Sequence, residues 1–114
     1  MTSTQHLNPD VLQELRMVMG TEFTTLLRTF DLDSEQRIAA IAAALEGVDA
    51  NALRRAAHSF KGSAGNMGAT RVSDLCRQLE ELGRNETIAG ADVLLQQLRA
   101  EFAQVQREIN DIKA

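Results

Sequence analysis

The residues best suited to chemistry surround His58, in the middle of a segment with helical periodicity. Residues three or four apart share one face of a helix. Arg54 and Arg55 lie one turn before His58 on its outer face, and Lys61 and Gly62 lie one turn after it. A neutral imidazole can attack a phosphoryl group and hold it covalently. Three cations around it favour an anion site, and phosphate is the obvious anion.

Two glycines occupy the same stretch of helix, and folding alone does not account for them. Gly62 and Gly65 lie beside His58 and outside the apolar seam. Each costs about 1 kcal/mol relative to alanine inside a helix, a considerable loss for a domain whose total stability is about 5–15 kcal/mol. Their missing side chains predict a bare helix surface on which another protein could approach the imidazole closely.

A carboxylate on the following helix is the candidate for orienting that imidazole. The turn between the two helices centres near Ala69, with His58 eleven residues before it and Glu80 eleven residues after it. In an antiparallel hairpin these positions lie at the same height, so Glu80 could accept a hydrogen bond from Nδ1–H and leave Nε2 free to attack. The alternative interpretations are a simple surface carboxylate or an ion pair with Arg77 or Arg84.

Composition narrows the class of protein. The chain has 114 residues, enough for one domain, and a net charge of −4, which does not favour nucleic acid. Its single cysteine, Cys76, excludes an internal disulfide and is expected to be a buried, inert thiol. Residues 1–10 do not resemble a signal peptide, and the longest apolar run, residues 38–45, is too short to span a bilayer. We therefore expect a cytoplasmic protein without membrane insertion.

Apolar residues recur at helical spacing along most of the chain, and no segment alternates as a strand does. Capping residues and glycine stops predict helices from Pro9 to Gly20, Thr21 to Gly47, Asp49 to Gly68, Thr70 to Gly83, and from near Gly90 onward. Residues 31–34 are weakly helical, which allows a break in the second helix.

The short connections between these helices favour antiparallel neighbours. The predicted fold is all-α, an antiparallel up-down four-helix bundle with a short additional N-terminal helix. Residues 1–114 are expected to form a single, free-standing domain. Each helix has one apolar face, which favours a monomer.

The segment from Ala57 to Ala69 resembles the signature of histidine phosphotransfer (HPt) domains. That signature runs histidine, any residue, apolar, lysine, glycine, two small residues, two variable ones, apolar, glycine and a small or apolar residue. The match continues into Leu75, Cys76, Leu79 and Glu80, and the helix plan fits over nearly the whole chain. Phe60 departs mildly from the family, which often has leucine at that position.

The resemblance implies that His58 accepts a phosphoryl group, with Lys61 and Gly62 shaping its surroundings and Glu80 at the ring-orienting position. It implies response-regulator receiver domains and a hybrid sensor histidine kinase as partners. The protein would be a carrier without kinase activity or cofactor, and the Mg²⁺ needed for transfer would come with the receiver. Arg54 and Arg55 lie outside the signature, so their role depends on the helix geometry alone.

Two other functions compete with this interpretation. The bare glycine face could dock a partner without chemistry, as in a non-catalytic helical adaptor. A helical-bundle metalloenzyme fits poorly, because two histidines are too few and the paired Glu-x-x-His motif of di-iron bundles is absent. We therefore expect no metal site in this chain.

Overall fold

The computed structural model describes residues 6–113. Within them the chain forms five α-helices: α1 (Pro9–Met19), α2 (Phe23–Glu46), α3 (Ala50–Asn66), α4 (Thr70–Arg84) and α5 (Ala91–Lys113). A short 3₁₀ turn, Gly20–Glu22, joins the first two. The described residues contain no strand, so the predicted all-α class is confirmed.

Helices α2 to α5 form the bundle. Each packs on the next along the chain, and α5 packs back against α2. The short α1 lies at the end where α3 turns into α4, and the Asn8 amide there donates to the Gly68 carbonyl at 2.9 Å. The predicted four-helix bundle with an additional N-terminal helix is therefore confirmed. No helix within residues 6–113 is long and apolar enough to cross a membrane.

The bundle interior consists mainly of aliphatic side chains with a small aromatic cluster. Phe102 meets both Phe30 and Phe60 edge to face, with ring centroids 6.2 Å apart in each pair. Cys76 is fully buried, as expected. Burial, followed by the nearby Glu80 charge, raises the pKa of the Cys76 thiol to about 12. The thiol is therefore protonated and unreactive at neutral pH.

Two predicted helix starts are present in the structure. The Asn8 side chain accepts from the Asp10 amide at 2.9 Å, with Pro9 at the first helical position. Asp49 accepts from the Ala52 amide at 2.9 Å and begins α3. Both side chains satisfy amides that have no partner within the helix.

Two predicted helix caps were wrong, and the break that the sequence allows in α2 is absent. Thr21 does not cap α2, which begins at Phe23, and Thr70 lies inside α4 with its hydroxyl donating to the Gly68 carbonyl at 3.4 Å. Residues 31–34 continue α2 without a break. Ser34 in this segment is buried against the bundle. Packing of the whole helix therefore outweighs the weak propensity of four residues.

Gly83 was predicted to end α4; the helix ends one residue later, at Arg84, and Gly83 is buried. A Cβ at this position would stand 2.7 Å from the Ala50 carbonyl oxygen and 2.8 Å from the Arg54 amide nitrogen. Both atoms belong to the backbone of α3 and cannot rotate away. The glycine therefore permits a close approach of α3 and α4.

We predict opposite effects of the same substitution at two helical glycines. Gly83→Ala should lower the free energy of unfolding by about 1–3 kcal/mol, because the new methyl group overlaps the α3 backbone. Gly62→Ala should raise it by up to about 1 kcal/mol, because no atom outside its own helix turn lies within 4 Å of its Cβ position. Urea unfolding followed by circular dichroism measures both. Equal effects would contradict the close-approach role of Gly83.

Candidate functional site

His58 lies in the middle of α3 and projects away from the bundle interior. The buried face of this helix consists of Leu53, Ala57, Phe60 and Ala64. The His58 side chain is 66% exposed. The ring is therefore accessible to another macromolecule, as its helical position predicts.

Glu80 of α4 lies beside His58 in the structure. Its Oε2 is 2.9 Å from His58 Nδ1. The Glu80 side chain is only 5% exposed, so an almost buried carboxylate contacts a largely exposed ring. The antiparallel hairpin of α3 and α4 brings the two residues together from positions equidistant from the turn.

Two further cations hold the same carboxylate. Lys61 Nζ lies 2.7 Å from Glu80 Oε1, and an Arg84 guanidinium nitrogen lies 3.0 Å from Oε2. His58 and Arg84 therefore share one oxygen, and Lys61 holds the other. With these three donors, the buried charge is well compensated.

These contacts determine the protonation of the site. Hydrogen bonding from Lys61, and then from His58, holds the pKa of the Glu80 carboxyl below its usual range, although burial opposes the shift. A carboxylate that is ionised at neutral pH can only accept hydrogen bonds. His58 Nδ1 must therefore carry the proton in the neutral ring, and the lone pair is on Nε2.

The two glycines of α3 leave the surface beside the ring open. Gly62 and Gly65 are both exposed. A Cβ at Gly62 would meet no atom within 4 Å, and one at Gly65 would make only an ordinary contact of 3.6 Å with Ser73 Oγ. Larger side chains are therefore compatible with the fold, and the bare surface is not a packing requirement.

The structure separates the cations that the sequence analysis grouped around His58. Lys61 binds Glu80. Arg54 donates to Asn51 at 2.9 Å, and it lines a cleft between α3 and α4 together with Arg84. Arg55 lines a different cleft, on the α2 side of α3. Neither Arg54 nor Arg55 forms an ion pair with a described residue.

Arg84 is the site residue that the sequence analysis underrated. Its position four residues after Glu80 predicts an ion pair on one helix face. Such pairs are common on protein surfaces and contribute little there. Only the burial of Glu80 and its contact with His58 on another helix bring Arg84 into the site.

Among residues 6–113 no group of three or more histidine, cysteine, aspartate or glutamate side chains could hold a metal ion. The contacts around Glu80 join an imidazole, a carboxylate and two cations.

Comparison with known proteins agrees with this geometry. The family model described as "Hpt domain" matches residues 25–108. The crystal structure of histidine-containing phosphotransfer protein B (HptB) from Pseudomonas aeruginosa PAO1 superposes with a TM-score of 0.92 at 44% sequence identity, covering 96% of this chain and 95% of that one. A search of curated proteins finds no match.

The chain therefore belongs to the Hpt domain family. Its function is that of a histidine phosphotransfer protein in phosphorelays. Proteins of this family are phosphocarriers rather than enzymes and interact with kinases and receiver domains.

We predict that Glu80 makes the stability of the protein depend on pH in the acidic range. Because the folded-state pKa of Glu80 is depressed, its contribution is present above the unfolded-state pKa and is lost as pH falls through the folded value. At pH 7, Glu80→Gln should lower the free energy of unfolding by about 1–3 kcal/mol, because Lys61 loses its charged partner. The difference in the free energy of unfolding between the wild type and Glu80→Gln should become smaller below a pH of about 4.

Urea unfolding at several pH values tests this. The matched control is Glu81→Gln, which removes the neighbouring exposed carboxylate, 3.9 Å from Arg77. A Glu80→Gln gap that stays constant from neutral to acidic pH would refute the assigned ionisation.

Proposed function

We propose that His58 accepts the phosphoryl group through Nε2 and relays it between a hybrid sensor histidine kinase and response-regulator receiver domains. One observation carries the proposal: Nδ1 of an exposed ring contacts a buried carboxylate with a lowered pKa. This arrangement fixes the tautomer and the orientation of the ring, and it leaves Nε2 as the nucleophile.

The transfer step follows from these atoms. The Nε2 lone pair attacks the phosphorus of a receiver phospho-aspartate, a nitrogen–phosphorus bond forms, and the bond to the aspartate oxygen breaks. The electron pair leaves with the aspartate carboxylate. The ring keeps its Nδ1 proton and gains positive charge, which the Glu80 carboxylate offsets at 2.9 Å. The reverse step uses the same atoms.

Lys61 and Arg84 offset the negative charge of Glu80 at this site. A carboxylate next to the acceptor would by itself repel an incoming phosphoryl group. Both cations contact Glu80, at 2.7 Å and 3.0 Å, so the three charges sum to a positive value. The carboxylate can therefore orient the ring without repelling the phosphoryl oxygens.

The remaining parts of the reaction are assigned to the partner. The chain contains no Gly-rich phosphate loop of the P-loop type, and we propose that it has no ATP-dependent kinase activity of its own. The Mg²⁺ for transfer comes with the acidic residues of the receiver, so the chain needs no cofactor. We further propose that the protein acts as a monomer in the cytoplasm.

We predict that His58→Gln abolishes uptake of label from a ³²P-phosphorylated receiver domain, because glutamine has no nucleophilic ring nitrogen. The fold should persist, since the ring is 66% exposed. The matched control is His6→Gln, which changes the other histidine. His6 lies against α5, with its Nδ1 2.6 Å from Glu101, and this variant should accept label normally.

The same variant separates a carrier from an adaptor. A non-catalytic adaptor would keep its full signalling output with His58→Gln, whereas a relay loses it. Label on the His58→Gln variant would disprove His58 as the acceptor.

We also predict that Gly62→Leu lowers the rate of transfer by about tenfold or more, because a bulky side chain beside His58 keeps the receiver from reaching a reactive distance. The bundle should remain folded, since the Cβ position is open. Quench-flow measurement of label transfer tests this, with Gln97→Leu on the exposed face of α5 as control. Normal transfer by Gly62→Leu would show that close approach does not depend on the bare surface.

A further inference from the structure

A cleft of about 410 Å³ lies between α2 and α3, on the α2 side of His58. Arg37 of α2 and Arg55 of α3 both line it, so it takes one guanidinium from each helix. Gln36 and Ser59 add neutral polar groups, and Asp33 contributes the only acidic group in the lining. Alanines make up the rest, so little side-chain volume fills the cleft.

The two arginines of this cleft lack charged partners within residues 6–113. Neither one forms an ion pair with a described residue. The Nε of Arg37 is buried and has no hydrogen-bond partner. A buried donor that stays unsatisfied destabilises a protein. An acceptor in the cleft would pair with the two positive charges, and one that reached Nε would also relieve that cost.

The position of the cleft connects it to the relay. Arg55 lies one turn before His58 on α3, and Ser59 is the residue directly after His58. A protein that docks over His58 can therefore extend along α3 to the cleft that Arg55 and Ser59 line. The chain has a net charge of −4, so this cationic cleft stands out from an acidic molecule.

We propose that this cleft is a docking site for an acidic side chain of the receiver domain that exchanges phosphoryl groups with His58. This inference rests on the proposed function and assigns to Arg37 and Arg55 a role in partner recognition outside the reacting atoms. Guanidinium groups bind a carboxylate through paired hydrogen bonds of defined geometry, which gives specificity as well as affinity.

The charge of the cleft favours a carboxylate over a phosphate group. Two arginines and Asp33 leave a net charge of about one positive unit, which matches a monoanion. A phosphate dianion would leave excess negative charge close to Asp33. The carboxylate is thus supplied by the partner and remains unchanged during transfer.

The test uses the receiver domain that accepts label fastest from the ³²P-labelled chain in a profile of candidate receivers. The rate of label loss is measured against receiver concentration for the wild type, Arg37→Gln, Arg55→Gln and the double variant. The control is Arg99→Gln, which removes the same charge from an exposed position of α5, in a cleft on the other flank of α2.

We expect each cleft variant to raise the half-saturating receiver concentration about tenfold, or about 1.4 kcal/mol, with the rate at saturation unchanged. In the double variant the half-saturating concentration should rise by less than the product of the two single increases, because both arginines hold one carboxylate. Added salt should weaken binding of the receiver to the wild type more than binding to the double variant. Arg99→Gln should behave as the wild type.

A half-saturating concentration in the cleft variants equal to that of Arg99→Gln would overturn the docking site. So would a fall in the saturating rate alone. In NMR spectra, the Arg37 Nε–H signal should move on addition of the receiver. A response to millimolar inorganic phosphate but not to the receiver, or a response to self-association of the chain, would also reject the proposal. If the proposed function itself is wrong, His58 carries no label, and this result is distinct from a change in the half-saturating concentration.

Discussion

The site depends on a carboxylate held inside a helix–helix interface. Burial of an ionised group is costly unless opposite charges and hydrogen bonds compensate it. Glu80 meets this condition only because His58, Lys61 and Arg84 converge on it from two helices. The same contacts that make the buried charge tolerable also hold Nδ1 of the imidazole and offset negative charge near Nε2, the nitrogen that we propose as the nucleophile. The stability of this interface and the proposed transfer therefore depend on one set of hydrogen bonds.

The packing of α3 on α4 determines whether those hydrogen bonds can form. Gly83 lets the two helix backbones approach closely, and Ser73 Oγ donates to the Lys61 carbonyl at 3.1 Å further along the interface. Glu80 lies between these two contacts in the sequence of α4. Gly62 has the opposite role on the outer surface, where nothing replaces the missing side chain. One residue type thus supports both the interior geometry and the exposed approach.

Much of the fold was predictable because it depends on local periodicity. The apolar spacing identified five helices, and short connections predicted their antiparallel order. The errors occurred where long-range packing decides a local choice. Gly83 was interpreted only as a helix stop, and α4 ends one residue later, but its absent side chain also permits the close approach of the α3 backbone. Residues 31–34 are weakly helical, and the packing of α2 on its neighbours keeps them helical.

The sequence by itself determined the outward position of His58, its glycine neighbours and the height of Glu80 along the hairpin, because helical spacing and symmetry about a turn are geometric properties of the chain. The family signature added the expected chemistry. Only the tertiary structure decided that Glu80 is buried, that Arg84 joins the site, and that Arg55 faces a cleft with Arg37. Spacing along α4 predicts the pair of Arg84 with Glu80, but the burial of Glu80 and its contact with His58 arise between helices, so no pattern within one helix contains them.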